Sequence, residues 1–380
     1  MKILMLNYEF PPIGGGAANA NLYLLKQYAG IEDLQVDVLT SAPKPGFSEE
    51  KFADNIKIYK VGIHKKHLHY WRKPEVIEWL IKAGPVYRKL ISQNDYKIAH
   101  AFFGFPTGWL CYRNADKLAF MISLRGSDVP GYNVRLGLDY KILAGLFRRI
   151  WSSADMIIAN SIGLKNLSCK FMPELDIKVI PNGIDTNKFY PAKTTLIKPI
   201  KLLTVCRLIK RKRIELLIEA ILSVKSSGLD VELNIVGDGN LMSELKSLTQ
   251  KLGIANQVNF FGRIESEQMP DIYRSNNIFI MASQHEGMSN AMLEALACGL
   301  PIITTRCEGV EELIDKNGII VEQADSKSIS EAIKKLAADN QQLNQMSLAA
   351  VEKAKEYSWD SAAQKYLQLY KELSGKEVAL

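Results

Sequence analysis

Short runs of apolar, mostly β-branched residues alternate with longer stretches in which apolar positions recur every three or four residues, and this alternation continues along nearly the whole chain. A run of four to six apolar residues between turn formers reads as a buried strand, and the longer spacing reads as a helix with one buried face. In the first half the pattern predicts strands at 2–7, 36–40, 56–61, 97–101, 119–124, 156–159 and 178–180, with amphipathic stretches at 18–28 and 74–91 between them. A segment rich in Pro, Lys and Thr follows at 191–199, and then the rhythm restarts. Strands are expected at 201–206, 232–236, 258–260, 278–281, 301–304 and 318–321, and helices at 213–226, 241–251, 290–297 and 328–339. A last amphipathic helix is expected at 359–373.

Strands that alternate with helices imply βαβ units and doubly wound parallel sheets. The expected fold class is therefore α/β, with two Rossmann-like domains, residues 1–190 rejoined by 358–380 and residues 191–357. A length of 380 residues suits two such domains. Ligands of such sheets bind outside the carboxyl ends of the strands, so a cleft between the two domains is the expected site.

Composition narrows the class. Apolar residues make up 47% and charged residues 23% of the chain, as in an ordinary globular protein. The opening residues are too short an apolar run for a signal-peptide core, and no stretch reaches the length of a membrane span. Five scattered cysteines with no CxxC pair argue against a disulfide framework or a zinc site, so a reduced, cytoplasmic protein is expected. The net charge of +7 is uneven: residues 1–190 hold 25 basic against 17 acidic side chains, and the remainder is close to neutral. That excess makes an anionic membrane surface a candidate partner and places the protein, in that case, peripherally on the inner face of the membrane. The segments 64–73 and 140–151, basic and aromatic, are the candidate contacts. No helix-turn-helix, RNA-binding or zinc pattern accompanies the charge, so no nucleic-acid partner is expected. His64, His67 and His69 match no metal-ligand spacing, and their lysine neighbours repel cations.

The segment from Glu286 to Pro301 carries the sharpest chemistry. Glu286 follows a strand and a polar turn; Ser289 or Asn290 then caps the helix that carries Glu294. A helix start at the carboxyl edge of a parallel sheet offers N–H groups and a positive dipole end to an anion. In that setting Glu286 suits sugar hydroxyls and Glu294 suits ribose hydroxyls. Arg207 sits just past another strand, with Lys212 one short loop later. Fixed cations there would stabilise the charge that develops on a departing diphosphate. Between the first strand and first helix, the diproline–glycine segment Pro11 to Asn19 includes Gly15 and Gly16, which let backbone approach a ligand closely.

These motifs, with Val179-Ile-Pro-Asn-Gly-Ile-Asp185 and Phe260-Phe-Gly-Arg-Ile264, stand in an order that resembles the family-4 retaining glycosyltransferases from end to end. The resemblance implies the two-domain GT-B fold and hexosyl transfer from a nucleoside diphosphate sugar to a hydroxyl of a glycan or lipid-linked acceptor, as in polysaccharide biosynthesis. It implies that Arg207, Lys212 and Glu286 act on the donor's reacting end, with Glu286 positioning the sugar and not attacking it. Backbone groups of Gly287, Met288, Ser289, Asn290 and Ala291 would touch sugar or diphosphate, and Glu294 the ribose. Arg263 and Ile264 would frame the base, Gly15 and Gly16 would lie under the diphosphate, and His100 would lie near the donor sugar. No cofactor is implied, and a uridine diphosphate sugar is expected ahead of a guanosine one. The chain has no Asp-x-Asp, so metal-independent transfer fits, with cations in the place of magnesium. Where relatives carry His-Gly, this chain reads Arg125-Gly126, which makes Arg125 a candidate for an acidic acceptor group and a poor base. An epimerase or hydrolase of the same two-domain architecture, or a non-catalytic nucleotide-sugar-binding subunit, is the alternative reading.

Overall fold

The computed structural model describes residues 1–68, 70–133, 136–192 and 199–375. Within it the chain divides into two compact units, Met1–Gly183 with Trp359–Leu380, and Ile184–Ser358. The division falls ahead of the segment at 191–199, most of which lies outside the described residues. Its physical basis is local: the Ile184 N–H donates to the Tyr357 carbonyl at 3.0 Å, and Ile184 pairs with Ser358, so the second unit's two ends are tied together.

The first unit is built on strands β1 (Lys2–Leu6), β2 (Gln35–Ala42), β3 (Gly46–Ala53), β4 (Ile56–Gly62), β5 (Ile98–Phe102), β6 (Phe120–Leu124), β7 (Met156–Ala159) and β8 (Ile177–Val179). They form one sheet in the order β3-β4-β2-β1-β5-β6-β7-β8. All pairs are parallel except β3 with β4. The central strands β1, β5, β6 and β7 are buried almost throughout, which is why they read as unbroken apolar runs. Strand β3 has no such signature; its residues are mostly exposed, and Glu49 and Glu50 pair with Lys57 and Lys60 on β4. It is a charged edge of the kind that discourages sheet-to-sheet association.

The helix Trp359–Ser374 completes this unit from the far end of the sequence. Trp359, Ala362, Ala363, Tyr366, Leu369, Tyr370 and Leu373 form its buried stripe at helical spacing. Trp359 stacks on Tyr23 with centroids 5.2 Å apart, and Tyr370 meets Tyr28 edge-on at 6.2 Å. Each large side chain so buried contributes on the order of 2 kcal/mol, enough to hold a helix with polar residues on its outer face.

The second unit carries β9 (Ile200–Val205), β10 (Val231–Val236), β11 (Val258–Gly262), β12 (Ile278–Met281), β13 (Ile302–Thr305) and β14 (Gly318–Val321). The sheet order is β11-β10-β9-β12-β13-β14, all parallel. Strands β9 and β12 are neighbours, so the loops after them, which carry Arg207–Lys212 and Glu286, leave the sheet side by side.

Candidate active site

The Lys212 ammonium donates directly to the Glu286 carboxylate, across 74 residues of sequence. Both side chains are about nine-tenths buried, and the Arg211 guanidinium lies 3.9 Å from the other carboxylate oxygen. Burial pushes the Glu286 carboxyl upward, but Lys212 and Arg211 outweigh it and hold the group below its ordinary range. The pair is therefore a buried carboxylate beside two cations, at the carboxyl ends of β9 and β12. Arg207, two residues past β9, is exposed.

The loop that presents Glu286 is fixed from both sides. Arg211 Nη1 donates to the His285 carbonyl at 2.6 Å, and the Gln284 N–H donates to the Arg211 carbonyl at 2.8 Å. Glu308, just past β13, accepts the Glu286 N–H at 3.2 Å and stands 3.0 Å from His285 Nδ1. Sequence reading missed Arg211 and Glu308. Glu308 did carry a signal, because it too follows the end of a parallel strand.

The helix Asn290–Ala297 begins here, capped by Ser289, whose backbone is extended and whose Oγ accepts from the Met292 N–H at 3.4 Å. Gly287, Met288 and Ser289 are buried, while Asn290 and Ala291 are half-buried at the positive end of the helix dipole. Glu294 follows in the second turn, half-buried. Tyr273, itself fully buried, donates its hydroxyl to Glu294 Oε2 at 2.7 Å. Burial pushes the Glu294 carboxyl up to about 7, against the opposing pull of Tyr273 and Lys188. Arg263 is exposed and Ile264 half-buried, just past Gly262 at the end of β11. They lie on the same sheet edge, with β10 between their strand and β9.

In the first unit, Gly15 and Gly16 are exposed at the start of the helix Gly16–Tyr28, which has no acidic residue in its first turn and no side-chain cap. Backbone necessity falls instead on Gly14. Its φ is 101°, and an added Cβ would sit 2.7 Å from Glu9 Cβ.

His100 is committed to partners within the first unit. It is fully buried in β5, with Nδ1 2.7 Å from the Tyr370 hydroxyl and Nε2 2.7 Å from Ser123 Oγ. Its ring stacks on Phe102, and burial holds it well below the usual imidazole range, hence neutral. Its side chain lies on the sheet face that the helix Trp359–Ser374 covers, and through Tyr370 it braces that helix. Arg125 is also committed to internal partners. Its guanidinium donates to Asn182 Oδ1 at 3.0 Å and to the Tyr366 hydroxyl at 3.4 Å, over the Phe102 ring. Its expected role toward an acceptor would compete with these bonds. Gly126, with φ 109°, is required because a Cβ there would meet the Tyr132 ring at 2.6 Å. His64 pairs with Glu78 at 2.7 Å, and His69 lies outside the described residues.

The two parallel-sheet domains have the GT-B fold of glycosyltransferases. The family model described as Glycosyltransferase Family 4 matches residues 14–188, and that of the Glycosyl transferases group 1 matches residues 187–353. The chain belongs to this glycosyltransferase family. It is 26% identical over 392 residues to a GDP-mannose-dependent α-(1-6)-phosphatidylinositol monomannoside mannosyltransferase of Mycobacterium tuberculosis, covering 96% of each chain. Among solved structures it is similar to a sucrose-phosphate synthase of Thermosynechococcus elongatus, with a TM-score of 0.83, 20% identity and 98% of each chain covered. It is also similar to Anabaena HepE in complex with UDP and glucose, with a TM-score of 0.73 and 18% identity over 98% of this chain and 99% of that one.

Proposed function

We propose that the protein is a retaining hexosyltransferase whose second unit holds a nucleoside diphosphate sugar at the carboxyl ends of β9, β11 and β12. The observation that carries this reading is the buried Lys212–Glu286 pair beside the start of the helix Asn290–Ala297. Glu286 accepts hydrogen bonds from the sugar, and backbone groups from Gly287 to Ala291 face sugar and diphosphate. Arg207 and Lys212 neutralise the diphosphate as the glycosidic bond breaks, a role that magnesium serves elsewhere. The acceptor hydroxyl attacks from the face the diphosphate leaves, and a diphosphate oxygen takes its proton, so no protein base is needed. Glu294 receives the ribose hydroxyls; Arg263 and Ile264 flank the base.

HepE was solved with UDP, whereas the mycobacterial relative is named for GDP-mannose, so both donors are worth testing. A thermal-shift panel of UDP-, GDP- and ADP-sugars is expected to show stabilisation by one of them, the uridine compound first. A ligand at 100 times its Kd adds about 2.7 kcal/mol to stability. Arg207→Ala is expected to cut transfer by about 100-fold or more, as losses of a transition-state charge contact do. A flat panel would sink the donor site, and an Arg207→Ala enzyme as fast as wild type would sink the catalytic assignment. An epimerase or hydrolase would instead turn over donor freely without any acceptor.

The acceptor is placed on the first unit, as a glycan or a lipid-linked glycan at an anionic membrane surface. Leu138 and Ile142 are 71% and 70% exposed on the helix Gly137–Ser152, beside exposed Lys141, Arg148 and Arg149. The one acid of that helix, Asp139, is paired with Lys73 at 2.6 Å. Among the described residues no helix is long and apolar enough to cross a membrane. Vesicles containing phosphatidylglycerol are expected to co-sediment the protein at low salt. The double variant Leu138→Asp/Ile142→Asp should stay in the supernatant. Equal binding to purely zwitterionic vesicles would refute the electrostatic part.

A further inference from the structure

Arg213 holds a left-handed backbone conformation, φ 49° and ψ 43°, between the turn Lys210–Lys212 and the helix Ile214–Ser226. Among the described residues of the second unit it is the one non-glycine residue at positive φ. Such a conformation is disfavoured for any residue with a Cβ and persists only where the surroundings over-determine it. Here the surroundings are three acceptors. Arg213 Nε donates to the Ala282 carbonyl at 2.7 Å, and Nη2 donates to the Ser283 carbonyl at 3.1 Å and to Thr305 Oγ1 at 3.2 Å. Ala282 and Ser283 are the two residues after β12, and Thr305 is the last residue of β13. The preceding residue, Lys212, reaches Glu286, which leaves β12 through the same loop.

Resting on the donor site described above, we propose that Arg213 is a positioning residue that sets the geometry of the Lys212–Glu286 pair by clamping the ends of β12 and β13. The left-handed turn sends two consecutive side chains to two parts of one loop, Lys212 to its carboxylate and Arg213 to its base. The planar fork of a guanidinium meets two carbonyls just past β12 and a hydroxyl at the end of β13 at once, and an ammonium lacks that geometry. The low setting of the Glu286 carboxyl depends on Lys212 staying close, so a loosened clamp lets burial raise it.

The test uses the full chain and two probes, UDP-glucose and GDP-mannose, and follows release of the nucleoside diphosphate across the pH range. Arg213→Gly removes the fork while keeping the turn, since glycine accepts positive φ without strain. It is expected to lower kcat by about 10–100-fold, the scale of a misplacement near 1 Å. KM should move by less than about threefold, because Arg213 itself does not touch the donor. The acid limb of the pH–rate profile is expected to shift upward, and guanidinium ion, but not tetramethylammonium, should restore part of kcat. Arg213→Lys should show the same loss without rescue. An unchanged kcat in Arg213→Gly, or a loss wholly in KM, overturns the proposal. If that variant does not fold, Thr305→Val removes a single acceptor; a smaller fall in kcat with the same limb shift is expected, and no change overturns the clamp. A wild-type protein that neither binds nor turns over either donor refutes the donor site itself. A working wild type with an indifferent Arg213→Gly refutes the clamp alone.

Discussion

Lys212→Met is expected to lower the stability of the second unit by about 3 kcal/mol, Glu286→Leu by about 5 kcal/mol, and the two together by far less than either. A buried ion pair adds little net stability, because desolvation offsets the attraction. Removing one member, however, strands the other in a poorly hydrated place. The asymmetry comes from Arg211, whose Nη1 lies 3.9 Å from Glu286. With Lys212 gone, Arg211 still answers the carboxylate; with Glu286 gone, two cations face each other. The double substitution replaces both charges by apolar groups of similar size, and such swaps are often neutral. Sugar transfer should be lost in all three proteins, which separates the chemistry from the fold. A loss of 3 kcal/mol should lower the melting midpoint of a unit of this size by about 6–12 °C. All five tryptophans, at 71, 79, 109, 151 and 359, lie in the first unit. Their fluorescence thus follows the first unit and serves as an internal control, while far-UV circular dichroism follows both units, so a shift seen only in the latter belongs to the second. Equal midpoints for the two single variants and the wild type would show that the pair is not coupled in solution.

What could be read from sequence follows the range of the interactions involved. The buried strands announced themselves because both faces of a parallel sheet are covered, so that β1, β5 and β12 are nearly unbroken apolar runs. Strand β3 stayed hidden because Gly46–Ala53 faces solvent and alternates nothing. That Glu286 and Lys212 leave the same sheet edge followed from topology, since loops after parallel strands gather at one edge. Their direct contact did not follow, because it depends on the left-handed turn at Arg213, where a sequence reader expects no arginine. His100 shows the other limit. Its place within a strand was legible, but the direction of its side chain was not. Nor could a partner 270 residues away, Tyr370, be seen in any local pattern. Arg125 is the same case, held by Asn182 and Tyr366, which are 57 and 241 residues distant.

Donor affinity is expected to fall about tenfold between pH 8 and pH 6, through Glu294. Burial beneath the start of the helix pushes this carboxyl up to about 7 in the free protein, so near neutrality a substantial fraction is protonated. The sign follows directly. A carboxyl whose folded value lies above its unfolded value favours folding at low pH, and that contribution is lost as pH rises from the ordinary carboxyl range through 7. The empty site is thus electrostatically strained at alkaline pH. Ribose hydroxyls that donate to the ionised carboxylate relieve that strain and pull its pKa down, so binding releases a proton. The diphosphate of a sugar nucleotide has no group titrating near neutrality, which makes the intact donor a cleaner probe than the free nucleotide. Calorimetry in buffers of differing ionisation enthalpy should therefore show proton release at pH 7 for the wild type and none for Glu294→Gln. That variant should also bind with little pH dependence, at an affinity close to the wild type's at pH 6, because an amide resembles the protonated acid. The Tyr273 hydroxyl, which donates to Glu294 at 2.7 Å, keeps an acceptor in the amide oxygen, so the helix should survive the change. A wild-type affinity that is flat from pH 6 to pH 8, or a Glu294→Gln protein that retains the slope, would remove Glu294 from the ribose site.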